Sequence, residues 1–196
     1  MPVAIINSGG ANIASLKYAL DRLGADSELT ANAQQIRSAS HVILPGVGAA
    51  ANAMDTLRKL DLDRLIPDLT QPVLGVCLGM QLMCASSDED EATCLGILPV
   101  NVSRLPAAPQ HPVPNMGWSP VTISAEHPLL EGIGSGDYFY FLHSFAIQPG
   151  SYTVATATHQ DEFTAVLAHR NFCATQFHPE RSSDAGSRLL RNFLQM

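Results

Sequence analysis

Apolar and polar positions alternate between strand-like and helix-like patterns along the first half of the chain. Short apolar runs predict buried strands, and the segments between them carry apolar residues at helical spacing, as at Ile13, Leu16 and Leu20. Strands are predicted at Val3–Asn7, Ser27–Thr30, His41–Leu44 and Val73–Val76. Helices are predicted at Ile13–Leu23, Ala49–Leu60, Leu62–Leu69 and Leu78–Ala85. Repeated units of this kind, joined by short loops, predict a parallel sheet with helices on both faces.

The second half of the chain has a different pattern. Between residues 95 and 125, β-branched runs are interrupted by prolines, and closely spaced strand-like segments follow. Strands are predicted at Asp137–Phe141, Tyr152–Thr158, Thr164–His169 and Phe172–Gln176, and a closing helix at Asp184–Leu194. Such close spacing favours antiparallel hairpins. We therefore predict one α/β domain over residues 1–196, with a mostly parallel central sheet flanked by helices and an added antiparallel β layer.

One predicted strand-to-helix junction carries a nucleophile-elbow pattern. The run Gly75-Val76-Cys77-Leu78-Gly79 matches G-x-nucleophile-x-G, with cysteine as the nucleophile. Glycine on both sides suits this sharp turn, because the strand and helix backbones pass close together there. The turn places the thiol at the carboxyl end of the sheet, facing the free N–H groups of the first helical turn. Both effects favour a thiolate and an oxyanion, so we predict that the chemistry takes place at Cys77.

A base for this nucleophile is predicted in Gln176-Phe177-His178-Pro179-Glu180, at the end of another short strand. Active sites of α/β enzymes lie at such strand ends. Residues two apart in an extended chain point to the same side, so Glu180 can orient the imidazole of His178 toward Cys77. Each motif alone has an ordinary alternative, a core cysteine in one case and a surface turn in the other. Their joint occurrence at two strand ends favours a catalytic pair.

A glycine-rich segment, Pro45-Gly46-Val47-Gly48, closes the predicted strand His41–Leu44. It is either a simple strand-to-helix turn or a loop that offers backbone N–H groups to an oxyanion. The segment does not fit G-x-G-x-x-G, so we do not predict a nucleotide site there.

Composition narrows the choice of partners. A net charge of −7 and a pI near 5.3 argue against nucleic acid and anionic membranes. No apolar stretch approaches the roughly 18 residues that span a bilayer, and the N-terminus lacks a basic leader region, so we expect a cytoplasmic protein. The four cysteines lack zinc-ligand spacing, and we expect free thiols and no metal. The acidic run Asp88–Glu91 is predicted to be a solvated loop.

The cysteine and histidine motifs resemble those of the class I (triad) glutamine amidotransferases. Four further segments extend the resemblance over nearly the whole chain, to the glutaminase subunits of imidazole glycerol phosphate synthase: Asn7–Asn12, Pro45–Gly48, Pro114–Trp118 and Tyr138–Ser144. The resemblance implies a flavodoxin-like amidotransferase fold and hydrolysis of glutamine to glutamate and ammonia through a cysteine thioester, with no cofactor. It also implies a cyclase partner with a (β/α)₈ barrel, which receives the ammonia and makes imidazole glycerol phosphate and an aminoimidazole carboxamide nucleotide in histidine biosynthesis.

The same resemblance implies roles for individual residues. Cys77 would be the nucleophile, His178 the base and acid, and Glu180 the group that orients it. The oxyanion would be held at Val47, Gly48 and Leu78. Glutamine would contact Gly46, Gly48, Gln81, His143, Ser144 and Phe145. The cyclase would meet Asn12, Tyr138 and Arg181, and Arg181 stands where the family frequently has lysine.

Three other functions compete with this one. In the first alternative, the chain is the glutaminase subunit of another pathway, such as pyridoxal phosphate synthesis; the segments 114–118 and 138–144 argue against this. In the second alternative, the chain is a free-standing cysteine γ-glutamyl hydrolase, which needs no partner. In the third alternative, the chain is a non-enzymatic, amidotransferase-like regulatory subunit; the presence of Cys77, His178 and Glu180 disfavours this.

Overall fold

The computed structural model describes residues 2–8, 13–46 and 48–196. The β-strands of these residues are β1 (Val3–Ile6), β2 (Ser27–Thr30), β3 (Val42–Leu44), β4 (Val73–Val76), β5 (Ser86–Ser87), β6 (Ala92–Thr93), β7 (Asn101–Arg104), β8 (Asn115–Pro120), β9 (Thr122–Ile123), β10 (Tyr138–His143), β11 (Phe145–Ile147), β12 (Thr153–Thr158), β13 (Glu162–His169) and β14 (Phe172–Thr175). The α-helices are α1 (Ile13–Arg22), α2 (Ala33–Ser38), α3 (Ala50–Lys59), α4 (Leu62–Leu65), α5 (Leu78–Leu82) and α6 (Ser183–Phe193). Short 3-10 helices lie at Ile66–Asp68, Glu89–Glu91, Pro128–Leu130 and Pro179–Arg181.

An eight-stranded sheet in the order β2-β1-β3-β4-β14-β13-β12-β9 forms the centre of the fold. The strands from β2 to β14 in this order run parallel, and the remaining pairs are antiparallel. Strands β4 and β14 are direct neighbours, with Val76 paired to Thr175 at their carboxyl ends. The residues that follow these two strands therefore emerge side by side, which brings the predicted nucleophile and base together.

Helices cover both faces of this sheet. Successive residues of β1 point into different hydrophobic clusters, with Ile6 in one and Ile5 in the other. The first cluster includes the buried side chains of α2, α3, α4 and α5, and the second includes those of α1 and α6. The predicted α/β class with a mostly parallel sheet flanked by helices is confirmed. Within the described ranges, no helix has the length and hydrophobicity needed to cross a lipid bilayer.

Three helical details differ from the prediction. Helix α2 was not predicted, because its sequence has a single buried apolar residue, Ile36, and therefore no periodicity. Its start is fixed by Asn32, whose side chain accepts hydrogen bonds from the two N–H groups of Gln34 and Gln35. The helix predicted at Leu62–Leu69 continues beyond α4 only as a 3-10 helix with a proline near its start. The helix after the elbow is also shorter than predicted and ends at Leu82.

The antiparallel strands divide into two groups. Strands β13, β12 and β9 extend the central sheet, whereas β10·β8 and β11-β7-β5-β6 form two smaller sheets. The segment predicted at Asp137–Phe141 corresponds to β10, and its partner β8 comes from the proline-interrupted region. The sequence pattern predicted the strand but could not assign this partner, because hairpin spacing favours neighbours in sequence.

Candidate active site

Cys77 lies at a sharp turn between β4 and α5. Its backbone has a positive φ, with φ 52° and ψ −109°, a conformation that non-glycine residues rarely adopt outside functional sites. A Cβ atom on Gly79 would lie 1.9 Å from the carbonyl oxygen of Leu44, and one on Gly75 would lie 2.9 Å from the carbonyl oxygen of Gly79. Only glycine fits at either position, so the local sequence satisfies the steric requirements of a nucleophile elbow.

His178 and Glu180 form a buried pair beside this turn. The Nδ1 atom of His178 is 2.9 Å from Oε1 of Glu180, and their side chains are only 7% and 5% exposed. Burial lowers the pKa of His178, but hydrogen bonds with the side chains of Cys77 and Glu180 outweigh it and raise the pKa to about 10. The imidazole is therefore protonated at neutral pH, next to the thiol.

A serine hydroxyl fixes the backbone of this histidine. The hydroxyl of Ser182, which is fully buried, donates to the carbonyl of His178 at 2.6 Å and accepts from the N–H of Tyr140 at 3.0 Å. The N–H of His178 in turn donates to the carbonyl of Tyr140 at 2.9 Å. His178 is thus held against β10 by a closed set of hydrogen bonds. In the sequence, Ser182 stands near the start of a predicted helix, a position that ordinarily indicates an N-cap. In the structure its side chain makes no cap hydrogen bond, so no sequence signal indicated its contacts with Tyr140 and His178.

A cleft of about 290 Å³ opens in front of Cys77. The structure places at its walls the predicted triad residues Cys77 and His178 and the predicted contact residues Gly46, Gly48, Leu78, Gln81, His143, Ser144 and Phe145. Arg181 also lies at this cleft. The predicted oxyanion residue Val47 and the predicted interface residue Asn12 lie outside the described residues.

The glycine-rich loop lies directly against the start of α5. A Cβ atom on Gly46 would be 2.4 Å from the N atom of Gly79, and Gly48 has a φ of 95° that favours glycine. Leu78 is the first residue of α5, so its N–H has no acceptor within the helix. Loop and helix start therefore meet at the predicted oxyanion position.

Hydrogen bonds inside the cleft wall fix the segment around Phe145. Its carbonyl accepts from Nε2 of Gln81 at 2.9 Å and pairs with Nδ1 of His143, also at 2.9 Å. Burial lowers the pKa of His143 to about 4, although the hydrogen bond to Phe145 opposes this. The ring is therefore neutral, with the proton on Nδ1, and Nε2 accepts from Nδ2 of Asn115 at 3.1 Å. The side chain of His143 thus serves the wall itself, and only its backbone remains for a ligand.

Two further residues of the site were not predicted, one at the cleft and one buried against Cys77. Glu89, placed by the sequence in a solvated acidic loop, is instead half-buried at the cleft, and its Oε2 accepts the N–H of Ala50 at 2.8 Å. This corrects the prediction for that residue: a carboxylate is stabilised at the start of α3, a contact between segments far apart in the sequence. Gln176 is fully buried, with Nε2 located 3.8 Å from Sγ of Cys77. The only sequence signal for Gln176 was its place in the histidine motif.

Beside the cleft, the β8·β10 sheet presents an exposed apolar surface. The register pairs Met116 with Leu142 and Trp118 with Tyr140, so these side chains share one face with Tyr138. We name this surface the β8–β10 face; its exposed members are Met116, Trp118, Tyr138 and Leu142, which are 37–68% exposed. The guanidinium of Arg181 lies over the ring of Tyr140, 4.7 Å from its centroid. The predicted interface residues Tyr138 and Arg181 therefore lie at this face. In the described part of the chain, no cluster of three or more His, Cys, Asp or Glu side chains is placed to hold a metal ion.

Comparisons with known proteins identify the family and the fold of the chain. The family model for glutamine amidotransferase class-I matches residues 4–196. The imidazole glycerol phosphate synthase subunit HisH of Pasteurella multocida (strain Pm70) is 48% identical over 193 residues, which cover 98% of this chain and 97% of that protein. Subunit HisH 2 of Legionella pneumophila (strain Lens) is 46% identical over 194 residues, which cover 99% of this chain and 98% of that protein. A solved glutamine amidotransferase has the same fold, with a TM-score of 0.77 at 19% identity over 100% of this chain and 98% of its own.

Proposed function

The chain belongs to the class I glutamine amidotransferase family, among the HisH subunits of imidazole glycerol phosphate synthase, and on this premise we propose that it hydrolyses glutamine with a Cys77–His178–Glu180 triad and passes the ammonia to a cyclase subunit. The observation that carries the proposal is the meeting of the strained elbow and the buried imidazole–carboxylate pair at the ends of adjacent strands. We also propose that residues 1–196 form one domain, which the extent of the family match supports.

The first half of the reaction uses the protonated His178. The sulfur of Cys77 attacks the side-chain carbonyl carbon of glutamine, and a tetrahedral oxyanion forms. Backbone N–H groups at Leu78 and Gly48 would stabilise it, an effect of about 3–4 kcal/mol per donor in other enzymes. His178 gives its proton to the amide nitrogen, and the C–N bond then breaks to release neutral ammonia. The raised pKa of His178 supports this acid role, because the proton is in place before the attack.

The second half needs His178 as a base. Once the sulfur is acylated, the thiolate is consumed, and one of the two groups that raise the pKa of His178 is lost. The imidazole then accepts a proton from water, which hydrolyses the γ-glutamyl thioester to glutamate and returns the thiolate. Glu180 holds Nδ1 throughout, so that Nε2 faces the reaction.

The cleft also suits the amino-acid end of glutamine. Both hydrogens of Gln81 Nε2 are used within the protein, toward Phe145 and Gln176, so Gln81 can offer a substrate only its Oε1 acceptor. The Glu89 carboxylate provides a negative charge at the cleft for an α-ammonium group. The carbonyls of Ser144 and Phe145 already accept hydrogen bonds within the protein. Contacts between this segment and glutamine would therefore come from its N–H groups and the Ser144 hydroxyl.

Ammonia must be kept from bulk water, because protonation removes its nucleophilicity. The β8–β10 face adjoins the cleft. Leu142 is exposed on this face and also lines the cleft, and Arg181, which lies over the ring of Tyr140, lines the cleft as well. An apolar surface with exposed tryptophan, tyrosine and methionine is typical of a protein interface. We propose that the (β/α)₈ cyclase docks here and covers the cleft, so that ammonia leaves into the partner.

The direct test is glutamate release from glutamine by the purified chain, alone and with the cyclase and its nucleotide ligand. We expect low activity alone and a large rise in the complex, and no release from a folded Cys77→Ala variant. High activity that the cyclase leaves unchanged would favour a free-standing γ-glutamyl hydrolase. Stimulation by the glutamine-dependent synthase of pyridoxal phosphate instead would favour that pathway.

A second test addresses the docking surface. Trp118→Asp places a charge on the β8–β10 face and should weaken cyclase binding by at least tenfold while basal glutamate release is retained. Leu29→Asp is the matched control, because Leu29 is 43% exposed on β2 at the far edge of the central sheet. Equal binding by both variants would place the interface elsewhere.

A further inference from the structure

Gln176 occupies the first position after β14, between the nucleophile and the cleft wall. Its backbone N–H donates to the carbonyl of Ala165 in β13 at 2.8 Å, which fixes the residue to the central sheet. The side chain is fully buried. A buried carboxamide needs partners for both its ends, and here one of those partners is the sulfur of Cys77.

Hydrogen bonds decide which way this carboxamide faces. Nε2 of Gln81 lies 3.1 Å from Oε1 of Gln176 and 2.9 Å from the carbonyl of Phe145, so it donates to both. Gln176 must therefore turn its oxygen to Gln81 and its NH₂ group to Sγ of Cys77, at 3.8 Å. The opposite orientation would set two NH₂ groups against each other and an oxygen against the sulfur.

Besides the imidazole of His178, which also hydrogen-bonds the sulfur, two uncharged groups lie next to it, and they respond differently to its charge. The carbonyl of Leu142, 3.7 Å from Sγ, can accept a hydrogen bond only from the neutral thiol. The NH₂ group of Gln176 can donate to either form, and a hydrogen bond to a charged acceptor is about twice as strong. Deprotonation of Cys77 therefore loses the first contact and strengthens the second.

We propose that Gln176 is a further catalytic residue, which donates an N–H to the thiolate of Cys77 and, through Gln81 and Phe145, ties the position of the sulfur to the glutamine-contacting wall. This role rests on the proposed glutaminase reaction. Its consequence is that the triad is supported by a fourth side chain on the same strand end as His178. The ordinary alternative is that Gln176 only fills space and satisfies Gln81.

Alkylation by iodoacetamide separates these possibilities, because the rate measures the thiolate without requiring glutamine. Gln176→Met has nearly the same shape and lacks the carboxamide, and Gln176→Leu is a second variant should the first not fold. We expect the alkylation rate of Cys77 at pH 6.5, followed by peptide mass spectrometry, to fall by about tenfold, and the whole rate profile to move to higher pH. The maximal rate at high pH should stay near that of the wild type.

Asn171→Leu is the matched control. Asn171 precedes β14, and its carboxamide donates to the carbonyls of Leu69 and Gln71 at 2.8 and 2.9 Å, far from the sulfur. Its loss should lower the melting temperature and leave the alkylation profile unchanged. A folded Gln176 variant whose alkylation profile overlays that of the wild type overturns the proposal, whatever its melting temperature. Glutamate release by the wild-type complex is measured in parallel, so that failure of the glutaminase proposal is seen separately.

Discussion

Ser182→Ala should affect both stability and catalysis, because one buried hydroxyl serves two backbone groups. Its removal leaves the N–H of Tyr140 and the carbonyl of His178 without the partners found at 3.0 and 2.6 Å. An unsatisfied buried polar group costs about 1–3 kcal/mol, so we expect the free energy of unfolding to fall by about 2–5 kcal/mol. For a chain of this length that corresponds to a melting temperature lower by roughly 5–15 °C.

The same substitution releases the backbone that carries the imidazole. A small displacement of His178 from Cys77 should lower kcat for glutamine by roughly ten- to a hundredfold, with KM nearly unchanged, because the cleft wall is intact. Ser187→Ala is the control, since its exposed hydroxyl also donates to a backbone carbonyl, that of Ser183 at 2.9 Å. Thermal and urea unfolding and glutamate release in the cyclase complex are the assays. If Ser182→Ala matched the control in both stability and kcat, the bonds to Tyr140 and His178 would contribute nothing, and the reasoning would be wrong.

Three further predictions follow from the site. Gly79→Ala forces a Cβ to within 1.9 Å of the Leu44 carbonyl oxygen and should destabilise the chain by at least about 3 kcal/mol in urea unfolding, whereas Gly134→Ala, whose Cβ meets nothing within 4 Å, should not; similar stability of the two would contradict the close approach. Glu180→Gln should keep the fold and lower kcat by roughly two to four orders of magnitude, because the imidazolium loses its charged partner, and a kcat near that of the wild type would argue against the triad. The pKa of His178 is raised from 6.5 to about 10, so its protonated form stabilises the fold below pH 6.5 and this contribution is lost as the pH rises through about 10. The difference in unfolding free energy between wild type and His178→Gln should shrink over that range, and a constant difference would contradict the shift.

The positions of Cys77 and His178 in the fold could be predicted because their signals are local. The elbow needs glycines at fixed positions around Cys77, and the turn that follows β14 needs only a short motif around His178. That the two meet follows from the rule that parallel strands present their carboxyl ends at one edge. The adjacency of β4 and β14 in the sheet satisfies this rule.

Other residues around the candidate site could not be predicted in the same way. Glu89 caps a helix about forty residues before it, and Ser182 bonds to a strand about forty residues before it. Neither contact leaves a periodic pattern, and each side chain has a common surface explanation in sequence. The same reason applies to the pairing of β10 with β8, since the register between distant strands depends on packing rather than on spacing.

The hydrogen bond from the N–H of His178 to the carbonyl of Tyr140 has a consequence for the evolution of this chain and its proposed cyclase partner. The side chain of Tyr140 belongs to the β8–β10 face, and its backbone carbonyl accepts the N–H of His178, the proposed base. One residue therefore contacts both the proposed docking surface and the proposed reaction centre. If the cyclase docks as proposed, a substitution in it that shifts this strand would change glutamine hydrolysis without a contact to Cys77, His178 or Glu180. Substitutions at a protein surface usually have little effect on activity. At the β8–β10 face they would be subject to the same selection as substitutions in an active site.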